Sequence, residues 1–115
     1  MPESYFSRVA VDMRNAPAGS RTNAAGFPRN GPWFWRQVRN SKPEYFSAEN
    51  LQNIKSNLAP KVDAQWVKYH PQYQSFMGDT LVHHHIGQGP IAIGMPEAVH
   101  SSWARFLNTG TGTGD

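Results

Sequence analysis

Four of the chain's five histidines, His83, His84, His85 and His100, fall in one stretch, GDTLVHHHIGQGPIAIGMPEAVHSSWARFLN, running from Gly78 to Asn108. Histidine suits hydrolytic chemistry for two reasons: neutral imidazole binds a divalent metal, and its unperturbed pKa near ~6.5 lets it take a proton at neutral pH. Adjacent histidines can divide these roles. One ring would hold a metal that stabilises charge on a phosphate, while its neighbour, turned differently where a strand ends, deprotonates the attacking water. Other readings of the triplet are a histidine run in a turn, a structural zinc site, or an affinity tag. Tags sit at termini and run longer, whereas this triplet is internal and ends an apolar run. Structural zinc commonly shows cysteine, and the chain has none.

These rings need elements to position them. Leu81 to His85 reads as a short strand, and side chains alternate along a strand, so His84 points to one face while His83 and His85 point to the other. Gly87, Gly89 and Pro90 break it; Ile91, Ala92 and Ile93 suggest a second strand, and Pro96 reads as the first residue of a helix. On that helix Val99, Trp103, Phe106 and Leu107 recur at the spacing of one buried face, which packs the helix on the hairpin and puts His100 at the edge of that face, toward the triplet. Gly78-Asp79 marks the turn into the first strand. Asp79 either completes that turn, the preferred reading, or holds a ring N–H of the triplet.

Paired histidines, a glycine-containing loop, a short apolar strand, a proline and a further histidine on the next helix resemble the HNH/endonuclease VII superfamily. The pattern is most similar to the double-histidine branch (LHH or WHH) found as C-terminal domains of bacterial polymorphic toxins. In that branch an apolar-Pro-x-x-x-His segment follows the pair; here Met95-Pro96-Glu97-Ala98-Val99-His100 does so, with His100 fifteen positions after His85. The resemblance implies a metal-dependent phosphodiesterase, with His84 as metal ligand, His85 as general base, and His100 as second ligand or phosphate contact. Asn108 stands where the family often has another histidine or an asparagine, which makes it a candidate ligand or orienting residue. His83 takes the flanking position. The ion would be Mg2+, Zn2+, Mn2+ or Ni2+. A larger parent toxin or secretion apparatus would deliver the domain from the producing bacterium into the target cell's cytoplasm, and a cognate immunity protein would silence it at home.

At 115 residues, the chain has room for one domain with one modest core. Four Trp, four Tyr and six Phe mean that a few large side chains supply most of that core. The lack of cysteine excludes a disulfide framework and a thiolate metal site. No apolar run approaches the ~20 residues of a membrane span, and the N-terminus lacks the apolar centre of a signal peptide. The charge is unevenly spread. Residues 1–42 carry seven arginines and lysines against two acids, a net +5, whereas residues 43–115 carry four against six, a net −2. Six of the seven N-terminal cations are arginine, whose planar fork suits bidentate phosphate contact. Alone this reads as a solvated basic face; beside a phosphodiester-cleaving site it reads as a polyanion footprint, with Arg29, Arg36, Arg39 and His83 as nucleic-acid contacts.

Elsewhere, Tyr5 to Met13 predicts a strand, and Asn15 to Gly31 an irregular segment. Gly31-Pro32 opens a helix, Trp33 to Arg39, burying Trp33, Phe34 and Val38. Ser47 caps a second, running to about Asn57, with Leu51, Ile54 and Leu58 as its apolar stripe. Asp63 caps a third carrying Trp66, Val67 and Tyr69, and His70-Pro71 closes it, with His70 at the surface or the helix end.

The sequence thus predicts a small α+β domain at 32–108, mainly short helices around a strand-strand-helix metal motif. A basic, partly irregular segment at 1–31 precedes it and a disordered tail at 109–115 follows. Its leading function is that of an antibacterial toxin endonuclease cutting DNA, with an acidic immunity protein as partner. The alternatives are a ribonuclease toxin and a non-catalytic, zinc-stabilised DNA-binding module.

Overall fold

A computed structural model describes the backbone of residues 10–107 and the side chains of residues 10–102. Outside these lie the predicted strand's residues Tyr5–Val9, the helix-face side chains of Trp103, Phe106 and Leu107, Asn108, and the tail. The elements are β1 (Val11–Asp12), β2 (Arg21–Thr22), β3 (Pro28–Arg29), α1 (Gly31–Ser41), α2 (Ala48–Lys55), α3 (Ala64–Tyr69), β4 (Leu81–His85), β5 (Ile91–Pro96) and α4 (Glu97–Leu107). Short 3-10 turns join several of them. The α+β class read from the sequence holds. Among the described residues, no helix is long and apolar enough to cross a membrane.

Side chains set the helix starts. Asn30, Ser47 and Asp63 each accept a hydrogen bond from the backbone N–H three residues on, at Trp33, Asn50 and Trp66, satisfying donors that a helix leaves unpaired. The last helix begins one residue later than the sequence suggests. Pro96 ends β5 opposite Leu81, where its missing N–H matters little, and α4 starts at Glu97. There Glu97 N–H donates to the Thr80 carbonyl and Ala98 N–H to the Asp79 carboxylate at 2.9 Å. Asp79 therefore caps α4, pinning the helix to the foot of the hairpin.

β4 and β5 form an antiparallel hairpin with His83 opposite Gly94, His84 opposite Ile93 and His85 opposite Ala92. β1 adds to the other edge of β5, Val11 opposite Ala92. On one face α1 lies close because β5 carries Gly94: a Cβ there would stand 2.6 Å from Cη2 of Trp35. Trp35 is the buried aromatic of α1, together with Phe34 and Val38, and Trp33 is only half-buried. That correction follows from the hairpin's position, which selects a helix face one residue round from the predicted one. Around Trp35 the rings of Phe34, Phe46 and Trp66 meet edge-on, with centroids 4.8, 6.2 and 5.9 Å away.

Three further expectations need correction. Leu58 is 59% exposed, because α2 ends at Lys55 and the chain reverses through Asn57 in the left-handed region, φ 64°. His70 does end α3, but it is 2% exposed rather than at the surface. Its ring stacks on Trp66 with centroids 3.9 Å apart, and Nδ1 lies 2.9 Å from the Trp66 carbonyl. Finally, the segment predicted to be irregular folds back as a two-stranded ribbon, Arg21 opposite Arg29 and Thr22 opposite Pro28. Asn23 shapes its turn, its Oδ1 accepting from Ala25 and Phe27 N–H, each at 3.0 Å.

Candidate active site

β4 distributes the triplet as strand alternation requires. His84 turns to the α4 side and meets His100, ring centroids 5.1 Å apart at 63°. His83 and His85 share the opposite face, with rings 5.4 Å apart. His83 stacks on Phe34 of α1 at 5.4 Å. It also lines a cavity of about 280 Å³ with Pro32, Trp35, Leu58 and Val82. The structure thus brings His84 and His100 together and sets His85 on the other side of the strand from them.

His85 is the last residue of β4, and its position is fixed by the loop that follows. Gly87 and Gln88 both adopt left-handed backbone, φ 56° and 59°, and Gly89 N–H closes the turn on the Ile86 carbonyl. Gly suits that region; Gln does not, so the loop depends on bonds from outside it. The three carbonyls after this bend are all taken. The Gln88 carbonyl accepts from Asn23 Nδ2 at 3.0 Å, that of Gly89 from His85 Nδ1 at 2.8 Å, and that of Pro90 from Met13 N–H at 2.8 Å.

The middle bond determines chemistry. A carbonyl only accepts, so His85 Nδ1 carries the proton and the lone pair of the neutral ring sits on Nε2. Nε2 is buried with no hydrogen-bond partner, and the residue is 0% exposed. The site has a nitrogen base whose tautomer is fixed and whose basic atom has no hydrogen-bond partner among the described residues.

His84 and His100 suit a shared ion. Two imidazole nitrogens at ~2.0–2.1 Å from one metal stand roughly 3.3 Å apart at a tetrahedral angle. The two rings lie close enough, with centroids 5.1 Å apart, for both to reach one ion. Among the described residues, no three His, Cys, Asp or Glu gather around an ion. The donors that the described residues bring together here are two imidazoles, His84 and His100. Asp79 is engaged at the cap of α4, and Asn108 lies outside the described residues.

Arg29 is exposed on the ribbon opposite Arg21, itself exposed. On α1, Arg36 donates to the Asn57 side chain, and Arg39 donates to the Asn40 amide oxygen at 3.2 and 3.3 Å. Among the described residues, the ion pair is Arg14 with Asp12, at 2.7 Å. The Arg14 guanidinium and its backbone N–H hold the Asp12 carboxyl below the usual carboxylate range. Sequence reasoning missed Asn23 and the Gly89 carbonyl. The run Asn23-Ala24-Ala25-Gly26 signals an Asn-led turn, but nothing in it points to a partner 65 residues away.

An antiparallel hairpin running straight into a helix, with histidines from strand and helix facing each other and the strand's last histidine tethered through Nδ1, is a strand-strand-helix arrangement consistent with an HNH-type nuclease. A family model described as "HNH/Endo VII superfamily nuclease toxin with a HHH motif" matches residues 7–108, and the chain belongs to that family. No curated protein and no solved structure gives a match.

Proposed function

We propose that this nuclease toxin domain hydrolyses DNA phosphodiester bonds in a metal-dependent reaction, with His85 as general base and His84 and His100 as metal ligands. The observation that carries this reading is the His85 ring itself, Nδ1–H on the Gly89 carbonyl and Nε2 unpartnered. Nε2 accepts the proton of the attacking water, and the resulting imidazolium keeps its Nδ1–H on a carbonyl that offsets part of the new charge. Because Nε2 is enclosed and lies on the other side of β4 from His84 and His100, the reading requires substrate binding to open the wall around it and turn the end of β4, so that base and metal ligands meet one phosphate. His84 and His100 would hold Mg2+, Zn2+, Mn2+ or Ni2+, which when bound supplies stabilisation of the charge developing on the phosphate. Asn108 would join them as an oxygen donor.

Exposed Arg29, with Arg36 and Arg39 on α1, would take the phosphates that flank the scissile one. A parent toxin or secretion apparatus would deliver the domain, and an acidic immunity protein would inhibit it. Nicking of supercoiled plasmid, with and without excess chelator and beside a single-stranded RNA of similar length, tests the reading. Metal-restored cleavage of DNA supports it. Cleavage indifferent to chelator overturns the metal assignment, and cleavage confined to RNA overturns the substrate.

A further inference from the structure

We propose that Asn23 is a positioning residue for the general base, acting through the loop that ends the histidine strand; this rests on the reading of His85 as that base. Asn23 is 6% exposed and lies on the N-terminal ribbon, outside the hairpin and helix that carry the histidines. Its amide orientation is fixed by chemistry. Oδ1 accepts two backbone N–H bonds, from Ala25 and Phe27, so a flip would set the NH2 group against two donors. Nδ2 is thereby committed to the Gln88 carbonyl.

That carbonyl belongs to a non-glycine residue at φ 59°, directly before the glycine whose own carbonyl holds His85 Nδ1. A strained residue stays in the left-handed region only while its surroundings hold it there. Met13 N–H fixes Pro90 on the far side, so the Gly89 carbonyl hangs between two anchors, one of them the Asn23 amide. Loss of that bond weakens the hold on Gln88 at positive φ, which lets the Gly89 carbonyl turn from Nδ1 and loosens the ring's confinement to the tautomer with its lone pair on Nε2. The N-terminal ribbon is on this account part of the catalytic apparatus rather than a linker to it.

Asn23→Asp is the informative change. Its carboxylate still accepts from Ala25 and Phe27 but has no donor for Gln88. On a DNA substrate kcat should fall roughly 10- to 100-fold, the range a small misplacement of a catalytic group produces, with KM and metal affinity little changed. 15N spectra of the histidine rings should show His85 moving from a single Nδ1–H tautomer to a mixture. Gln88→Gly, which favours positive φ, should restore part of the lost kcat in the Asn23→Asp background. Should Asn23→Asp not fold, Asn23→Ser keeps a turn acceptor, cannot reach Gln88, and carries the same expectations. Wild-type kcat and an unchanged His85 tautomer in the variant overturn the proposal, as does a loss of kcat that Gln88→Gly leaves untouched. His85→Ala separates the two readings: if it remains active, the base assignment fails whatever Asn23 does.

Discussion

A histidine whose Nδ1 is committed to a carbonyl has its tautomer set, and the Gly89 carbonyl does this for His85. Removing a general base leaves ground-state contacts with the substrate in place. His85→Ala should therefore lower kcat by ~10²–10⁴-fold while DNA affinity, read by anisotropy, stays near wild type. His84→Ala and His100→Ala should instead weaken metal binding in calorimetry. If His85→Ala loses the metal and His84→Ala retains it, the two roles are exchanged. A second residue-scale prediction concerns Gly94. In an open strand Gly→Ala stabilises by restricting the unfolded chain, but here the new Cβ would meet the Trp35 ring at 2.6 Å. Trp35 is held edge-on by three other rings, so Gly94→Ala should destabilise by ~1–3 kcal/mol in chemical denaturation. A stabilised variant would mean that α1 is not seated on the hairpin through this contact.

The ribbon places Arg21 directly opposite Arg29, and like charges in that arrangement repel. Arg29→Glu converts the repulsion to attraction and should raise stability by ~0.2–1 kcal/mol. If a phosphate is what normally lies between the two guanidinium groups, the same change weakens DNA binding. Gains or losses in both together would disconnect the ribbon from the substrate. At this scale the sequence was most legible where local periodicity decides. The alternation along Leu81–His85 foretold which histidines share a face, and Ser47 and Asp63 foretold their helix starts. It was least legible where the partner is distant in sequence. The buried face of α1 was set by a glycine on β5, His70 was drawn inside by Trp66 and Tyr45, and the Asn23 bond spans the domain. No periodic pattern encodes such contacts, because each depends on which surfaces the completed fold brings together.

For the whole molecule, charge is the property that a partner meets first. Of the cations that give residues 1–42 a net +5, Arg14 is paired with Asp12, while Arg21, Arg29, Arg36 and Arg39 form no ion pair among the described residues. Among the described residues, Arg36 and Arg39 bond to neutral asparagine amides, which leave their charge uncompensated. Such a surface would speed the encounter with any polyanion, whether DNA or an acidic inhibitor. A producing cell gains from fast inhibition, and an inhibitor using this surface should associate at a rate that falls steeply with added salt, since exposed charges are screened over a Debye length of ~10 Å at 0.1 M. The double variant Arg36→Glu/Arg39→Glu should slow both inhibitor association and DNA binding in stopped-flow measurements, with dissociation less affected because steering acts on encounter. Its melting temperature should stay close to wild type, as neither arginine forms an ion pair among the described residues. An inhibitor that binds the variant as fast as the wild type, or whose on-rate ignores salt, would show that this basic surface is only solvated.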